Sequence, residues 1–312
     1  MSGARAIKQQ SIERLEILLN APIFTRVSHG LWHTTAVIDF GHSALHTINI
    51  NEHAPRSETD FGLLMASRAA SHGIIQSAAC VRDEFAASGS GGASSLHLEG
   101  PNATSLSTWR RDQGLPPPQD SPCVILSRGG NIPPIALRHN ADSAHSRAAF
   151  TPWLMVPPAA APTARSTMQS AGMPSDHVLS SETTSVLEAA RFVQGSGALR
   201  ASIEAGPSTT RSLYDGTWKR LFTPQQLASY GYTAHSKCPV DWLLLSVFSP
   251  AENSTVHPSC VGGVSIHTGD LHDVFNVQGE AFEEDTAEGT WRFAVFRNKQ
   301  SAQYCGALMQ RS

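Results

Sequence analysis

The stretch Lys237-Cys238-Pro239-Val240-Asp241-Trp242-Leu243-Leu244-Leu245-Ser246-Val247-Phe248 decides how the chain is read. Val240–Phe248 is almost continuously apolar, so it is buried whether it is a helix or a strand; periodicity alone does not separate the two. As a helix it starts at Cys238, with Pro239 at the first helical position, where the missing N–H costs nothing. As a strand it belongs inside a sheet, covered on both faces.

Around this run the C-terminal third is well patterned. Ser181 opens a helix through Val193, and Val186, Leu187, Ala190 and Val193 share one face. Thr223-Pro224-Gln225-Gln226 is a capping box with proline at the first position, predicting a short helix to Ser229. Val261–Ile266, Asp273–Val277 and Trp291–Phe296 read as strands; in the last, Trp291, Phe293 and Val295 alternate with Arg292, Ala294 and Phe296. At the other end, residues 4–20 predict a helix stopped by Asn20-Ala21-Pro22. Strands are expected over Ile23–Ser28, Leu31–Asp39 and Ser43–Ile50. A helix follows from Asp60 to His72, with Gly73 as its left-handed stop. Ile74–Phe85 fits helix and strand equally.

The middle differs. Ala87–Ser95 is Gly/Ser-rich, and Gly100–Pro122 contains Pro116-Pro117-Pro118. Such tracts bury too little apolar surface to repay their ordering entropy. Cys123–Val156 has apolar patches at Val124–Leu126 and Phe150–Val156, and Pro157–Ser175 is again rich in Pro, Ala and Ser. The fold class read from this is α+β: an N-terminal helix with short strands, a flexible middle, and C-terminal helices and strands. The expected division is a module at 1–86, a linker at 87–122, a short segment at 123–156, a linker at 157–178 and a module at 179–312.

Composition narrows the function classes. Of 312 residues 40% are hydrophobic, enough for a core, and 16% are charged, against about 25% in ordinary soluble domains. With 23 basic and 26 acidic side chains the net charge is −3, giving no electrostatic reason to expect nucleic acid or an anionic membrane. No apolar run approaches the ~20 residues of a membrane span, and residues 1–22 lack an apolar signal core, so the expected compartment is cytoplasmic. Five cysteines at wide spacing, with no CxxC pair, argue against a disulfide framework or a structural zinc site.

The sharpest chemical candidate is Cys238. A helix N-terminus favours a thiolate, and Lys237 adds to it. Papain-like enzymes build their nucleophile in this way, with a histidine from a later strand. Here His272 follows as the base, with His267 in reserve, and Asp285 or Asn298 as a third group. The reading is a cysteine-nucleophile hydrolase or acyl-transfer enzyme acting on a protein substrate. Its alternative is a non-catalytic interaction, virulence-type or structural subunit protein that meets a protein partner through its surface and disordered middle.

Weaker patterns stand beside it. His29, His33, His42, His46 and His53 cluster, but four-residue spacing on strands separates imidazoles by about 13 Å, too far for one metal ion. Leu31-Trp32-His33-Thr34-Thr35 resembles the aromatic-His-small-Thr element of the ADP-ribosyltransferase nicotinamide pocket, with Thr34 in place of its glycine. No Ser-Thr-Ser or Glu-x-Glu partner follows, and the element reads as a strand. Glu280–Glu288 reads as a solvated acidic turn. Gly89–Gly92 and Gly195–Gly197 fit neither a dinucleotide fingerprint nor a P-loop, so neither cofactor nor metal is expected.

Overall fold

The run 240–248 is a strand. The computed structural model describes residues 3–27, 30–87, 96–98, 103–138, 149–195 and 200–300. In chain order the first half comprises helices Gly3–Leu19 (α1) and Ile23–Arg26 (α2), strands Gly30–Asp39 (β1) and Ala44–Ile48 (β2), helix Glu58–Ala70 (α3) and strand Gly73–Ser77 (β3). Helices Ala78–Ala87 (α4) and Ala103–Asp112 (α5), strand Pro122–Leu126 (β4), the helical turn Pro134–Leu137 (α6) and strand Thr151–Val156 (β5) come next. Then follow helix Ala161–Ser170 (α7), strand Val178–Ser180 (β6), helix Val186–Gly195 (α8), strand Arg200–Glu204 (β7) and helices Pro207–Asp215 (α9) and Pro224–Ser229 (α10). Strands Trp242–Pro250 (β8) and Val261–His267 (β9), helix Thr268–Val274 (α11), and strands Phe275–Asp285 (β10) and Gly289–Asn298 (β11) complete the α+β fold.

Two compact units interleave along the sequence: Met1–Arg14 with Phe61–Glu204, and Leu15–Asp60 with Ala205–Ser312. In the first, the strands run β7-β3-β4-β5-β6, all parallel to their neighbours. Ile74, Ile75, Val124, Ile125, Leu154 and Val156 are fully buried, as the interior strands of a parallel sheet require. Two arginines anchor the helix leading into this sheet. Arg68 of α3 pairs with Glu204 at the end of β7 through Nε and Nη2, at 2.7 and 2.6 Å, and Gln76 Nε2 donates to the same carboxylate at 3.0 Å. Arg110 donates to the Ala69 and Ser71 carbonyls that end α3 and to Ser121 Oγ, satisfying carbonyls a helix leaves unpaired.

In the second unit β1 runs parallel to β8, and β11, β10, β2 and β9 add antiparallel neighbours in the order β10-β11-β8-β1-β2-β9. The register pairs Trp32 with Trp242, Ala36 with Ser246 and Ile38 with Phe248, and sets Phe293 against Ser246 and Trp291 against Phe248. These residues therefore share one face of the sheet. His33 and Leu243 lie on the other, where Tyr214 of α9 donates or accepts a 2.7 Å hydrogen bond with His33 Nδ1.

Several sequence expectations need correction. The 87–122 segment contains α5, and the 157–178 segment contains α7. Their prolines initiate structure: Pro118 and Pro158 open short 3-10 turns, and α7 carries proline in its first turn, positions where a missing N–H is no loss. The Gly/Ser tract 88–95 lies outside the described residues. Ile23–Arg26 is a helical turn, not a strand, and Asp273–Val274 ends a helix before β10 begins. Gly73 does not stop α3 but starts β3, where an added Cβ would lie 2.8 Å from Val193. Among the described residues no helix is long and apolar enough to cross a membrane.

Candidate functional sites

Cys238 is fully buried in an irregular segment ahead of β8, with no helix beginning at it. Asn298 Nδ2 donates to the Cys238 and Val240 carbonyls at 3.2 and 2.8 Å. Without helix amides to favour a thiolate, burial dominates and pushes the thiol well above its ordinary range. His267 ends β9 and precedes α11; His272 lies within α11, and both side chains are exposed. Among the described residues no hydrogen bond joins Cys238 to either imidazole, so the structure does not bring the three together. Cys80 is no substitute: Ser77 Oγ donates to its sulfur at 3.1 Å, and burial raises its thiol to about 11.

The remaining histidines are separately engaged. His46 Nδ1 contacts the Gly262 carbonyl at 3.3 Å, His53 stacks on His257 with centroids 4.2 Å apart, and His29 lies outside the described residues. Among the described residues no group of three or more His, Cys, Asp or Glu is placed to hold a metal. The acids of Glu280–Glu288 fall mostly within β10, not in a turn.

Two places have the makings of a site. In the first unit the strand order reverses at β3: β4, β5 and β6 are laid down on one side, and β7 returns to the other. In open α/β sheets ligands bind outside the carboxyl ends of the strands at such a reversal. There the side chains are small. Ser77, Ala78 and Ala79 join β3 directly to α4, and Ser77 Oγ caps that helix by accepting from Cys80 N at 3.1 Å. Ser127-Arg128-Gly129-Gly130-Asn131 follows β4. Gly130 has φ +67°, and a Cβ there would lie 3.0 Å from the Ala160 carbonyl and the Ala164 nitrogen, so only glycine lets the loop fold against α7. Gly129, by contrast, has open space around it. Arg82 Nη1 donates to the Asn131 carbonyl at 3.3 Å, and the exposed Arg128 adds a second cation.

The second place is in the other unit, beside Ser246. Asp60, in the first turn of α3, is only partly accessible. Burial raises its carboxyl, and the Ser246 hydroxyl is buried without a hydrogen-bond partner among the described residues. Ser57 Oγ accepts from Thr59 N and Asp60 N at 3.1 Å, so Ser57, not Asp60, caps the helix. Two residues along the same face of β8, Phe248 floors a groove of about 600 Å³ walled by residues 52–56, 254–257 and 286–288. By comparison Asp241, raised to about 7 by burial, is a tie between strands: its Oδ2 accepts from Leu31 N at 2.8 Å.

The sequence reading passed over both places. Asp60 reads as the start of a helix, and Ser246 does not stand out within its apolar run. Small residues directly after β3 and β4 were a usable signal for the first place, but only once the strands were known to be parallel.

No family model matches the chain, and no curated protein matches it. Among solved structures it is similar to a pyrimidine reductase-like protein from Corynebacterium diphtheriae, with TM-score 0.53 and 17% identity, covering 94% of this chain and 98% of that one. A second similar structure, RibD from Acinetobacter baumannii, has TM-score 0.45 and 10% identity; 88% of this chain is covered, spanning 60% of that one. The first likeness is one of fold: the protein described as pyrimidine reductase-like shares this arrangement of sheet and helices. Together with the buried, helix-free Cys238, this overturns the thiol hydrolase or acyl-transfer reading.

Proposed function

We propose that the chain is a reductase that takes a reduced nicotinamide dinucleotide and acts on a pyrimidine-type heterocycle. The observation that carries this reading is the reversal of strand order at β3, with small residues and two arginines at the carboxyl ends of β3 and β4. The likeness in fold to a protein described as pyrimidine reductase-like supports the choice of reaction and substrate. No Gly-x-Gly-x-x-Gly fingerprint is present, so the fit rests on other features. The open space at Gly129 admits a ligand close to the backbone, and the start of α4 favours a phosphate. Arg82 and Arg128 supply the countercharge, as arginine does beside dinucleotide phosphates. Such a dinucleotide supplies a hydride; the chain's part is to hold its phosphates at these loops and keep them from water.

The test is calorimetric titration of the full chain with NADPH and NADH. Saturable binding, weakened about tenfold or more in R128A by loss of a charge-assisted contact, is expected. No binding of either dinucleotide overturns the reading.

A further inference from the structure

We propose that His53 and His257 form a pH-sensitive clasp that closes one side of the groove above Phe248 at neutral pH and releases it in acid. Both rings line that groove. They stack with centroids 4.2 Å apart and planes 27° apart. Hydrogen bonds join the same two histidines by a second route. Ser259 N donates to His257 Nδ1 at 3.3 Å, and Ser259 Oγ lies 2.7 Å from that nitrogen. The Ser259 carbonyl accepts from Asn51 Nδ2 at 2.9 Å, and Asn51 Oδ1 accepts from His53 N at 2.9 Å. Stack and hydrogen bonds therefore make a closed circuit, His257 to Ser259 to Asn51 to His53, that ties two loops together. Two further bonds fasten it: Asn49 N donates to the Cys260 carbonyl at 2.8 Å, and Cys260 Sγ to Asn51 Oδ1 at 3.2 Å.

The circuit closes only while His257 is neutral. A backbone amide can only donate, so His257 Nδ1 must accept, and the ring carries its proton on Nε2. A proton on Nδ1 turns that acceptor into a donor facing another donor. The Ser259 hydroxyl can rotate to accept it; the Ser259 amide cannot. A further proton on His53 sets two like charges one ring-stack apart, which disfavours the closed form about fivefold even in water. Imidazole is the side chain whose ordinary charge change falls between about pH 5 and 8. The other charged groups in the groove are Glu52 and Arg56 from one wall and Glu288 from another; the 254–257 wall adds only His257. Glu52 Oε1, 3.4 Å from His53 Nε2, is a counter-ion for a proton on His53. Among the described residues no carboxylate pairs with His257, so the proton on His257 is the one that opens the clasp. All these residues lie in one unit, and the inference does not depend on the reductase reading.

The test is amide hydrogen exchange of the full chain by NMR at about pH 5.5 and about pH 7.5, either side of the imidazole range. Each rate is divided by the intrinsic rate of that amide at that pH. In wild type, protection of the Asn49, Ser259 and Cys260 amides is expected to fall about fivefold or more on acidification. H257N offers Ser259 N a side-chain oxygen that does not titrate, so its protection is expected to be the same at both pH values. H257A, with no acceptor, is expected to show low protection at both. The amides of β11 report global opening and are expected not to follow the loops. Wild-type protection that ignores pH, an H257N profile that falls as wild type's does, or β11 amides losing protection in step with the loops overturns the proposal.

Discussion

His33 and Asp241 tilt the stability of one unit against pH in opposite directions. His33 is fully buried, its Nε2 has no partner among the described residues, and burial lowers it to about 3. An unfolded histidine titrates near 6.5, so its contribution is complete above about pH 6.5 and lost as pH falls toward about 3. Asp241 is raised to about 7, so the fold holds an extra proton, and stability falls as pH rises from about 4 to 7. The two windows nearly coincide and largely offset. In urea melts over this range, H33L is predicted to gain stability relative to wild type as pH falls, and D241N to lose it. Parallel profiles for both variants would contradict the assignment. The same corner forbids a side chain at Gly30, which has φ +114° and whose Cβ would fall 2.5 Å from Asp241 Oδ2. G30A is expected to cost about 2 kcal/mol or more, read as a lowered urea midpoint.

At the scale of elements, what could be read from sequence was local chemistry. The Thr223 capping box is present in both directions: Gln226 N donates to Thr223 Oγ1 at 3.2 Å, and Thr223 N to Gln226 Oε1 at 2.8 Å. T223A should cost about 1 kcal/mol, measured by denaturant melts. The alternation of β11 was equally legible, with Trp291, Phe293 and Val295 all buried. By contrast β8 was ambiguous because its apolar run reflects two strand neighbours, and nothing within nine residues says which. Arg68 and Glu204 could not be paired from sequence at all, being 136 positions apart. Their side chains are 2% and 11% exposed, so R68M strands a buried carboxylate and is predicted to destabilise by about 3–5 kcal/mol in the same melts. A loss below about 1 kcal/mol would mean that Glu204 finds another partner.

For the molecule as a whole, the α+β class was legible, while the candidate site was not. Helix and strand segments announced themselves by composition, but the strand order that reverses at β3 exists only in three dimensions. The thiol reading failed for the same reason: Cys238 was given a helix to ionise it, and the fold made its neighbour a strand. The proline-rich middle misled because proline both breaks elements and starts them, and here it starts α7. The most direct measurement of the reductase reading is hydrogen–deuterium exchange of the full chain with and without NADPH. Protection concentrated at residues 77–82 and 127–131 is the predicted result; an exchange pattern unchanged by NADPH at those two segments would contradict it.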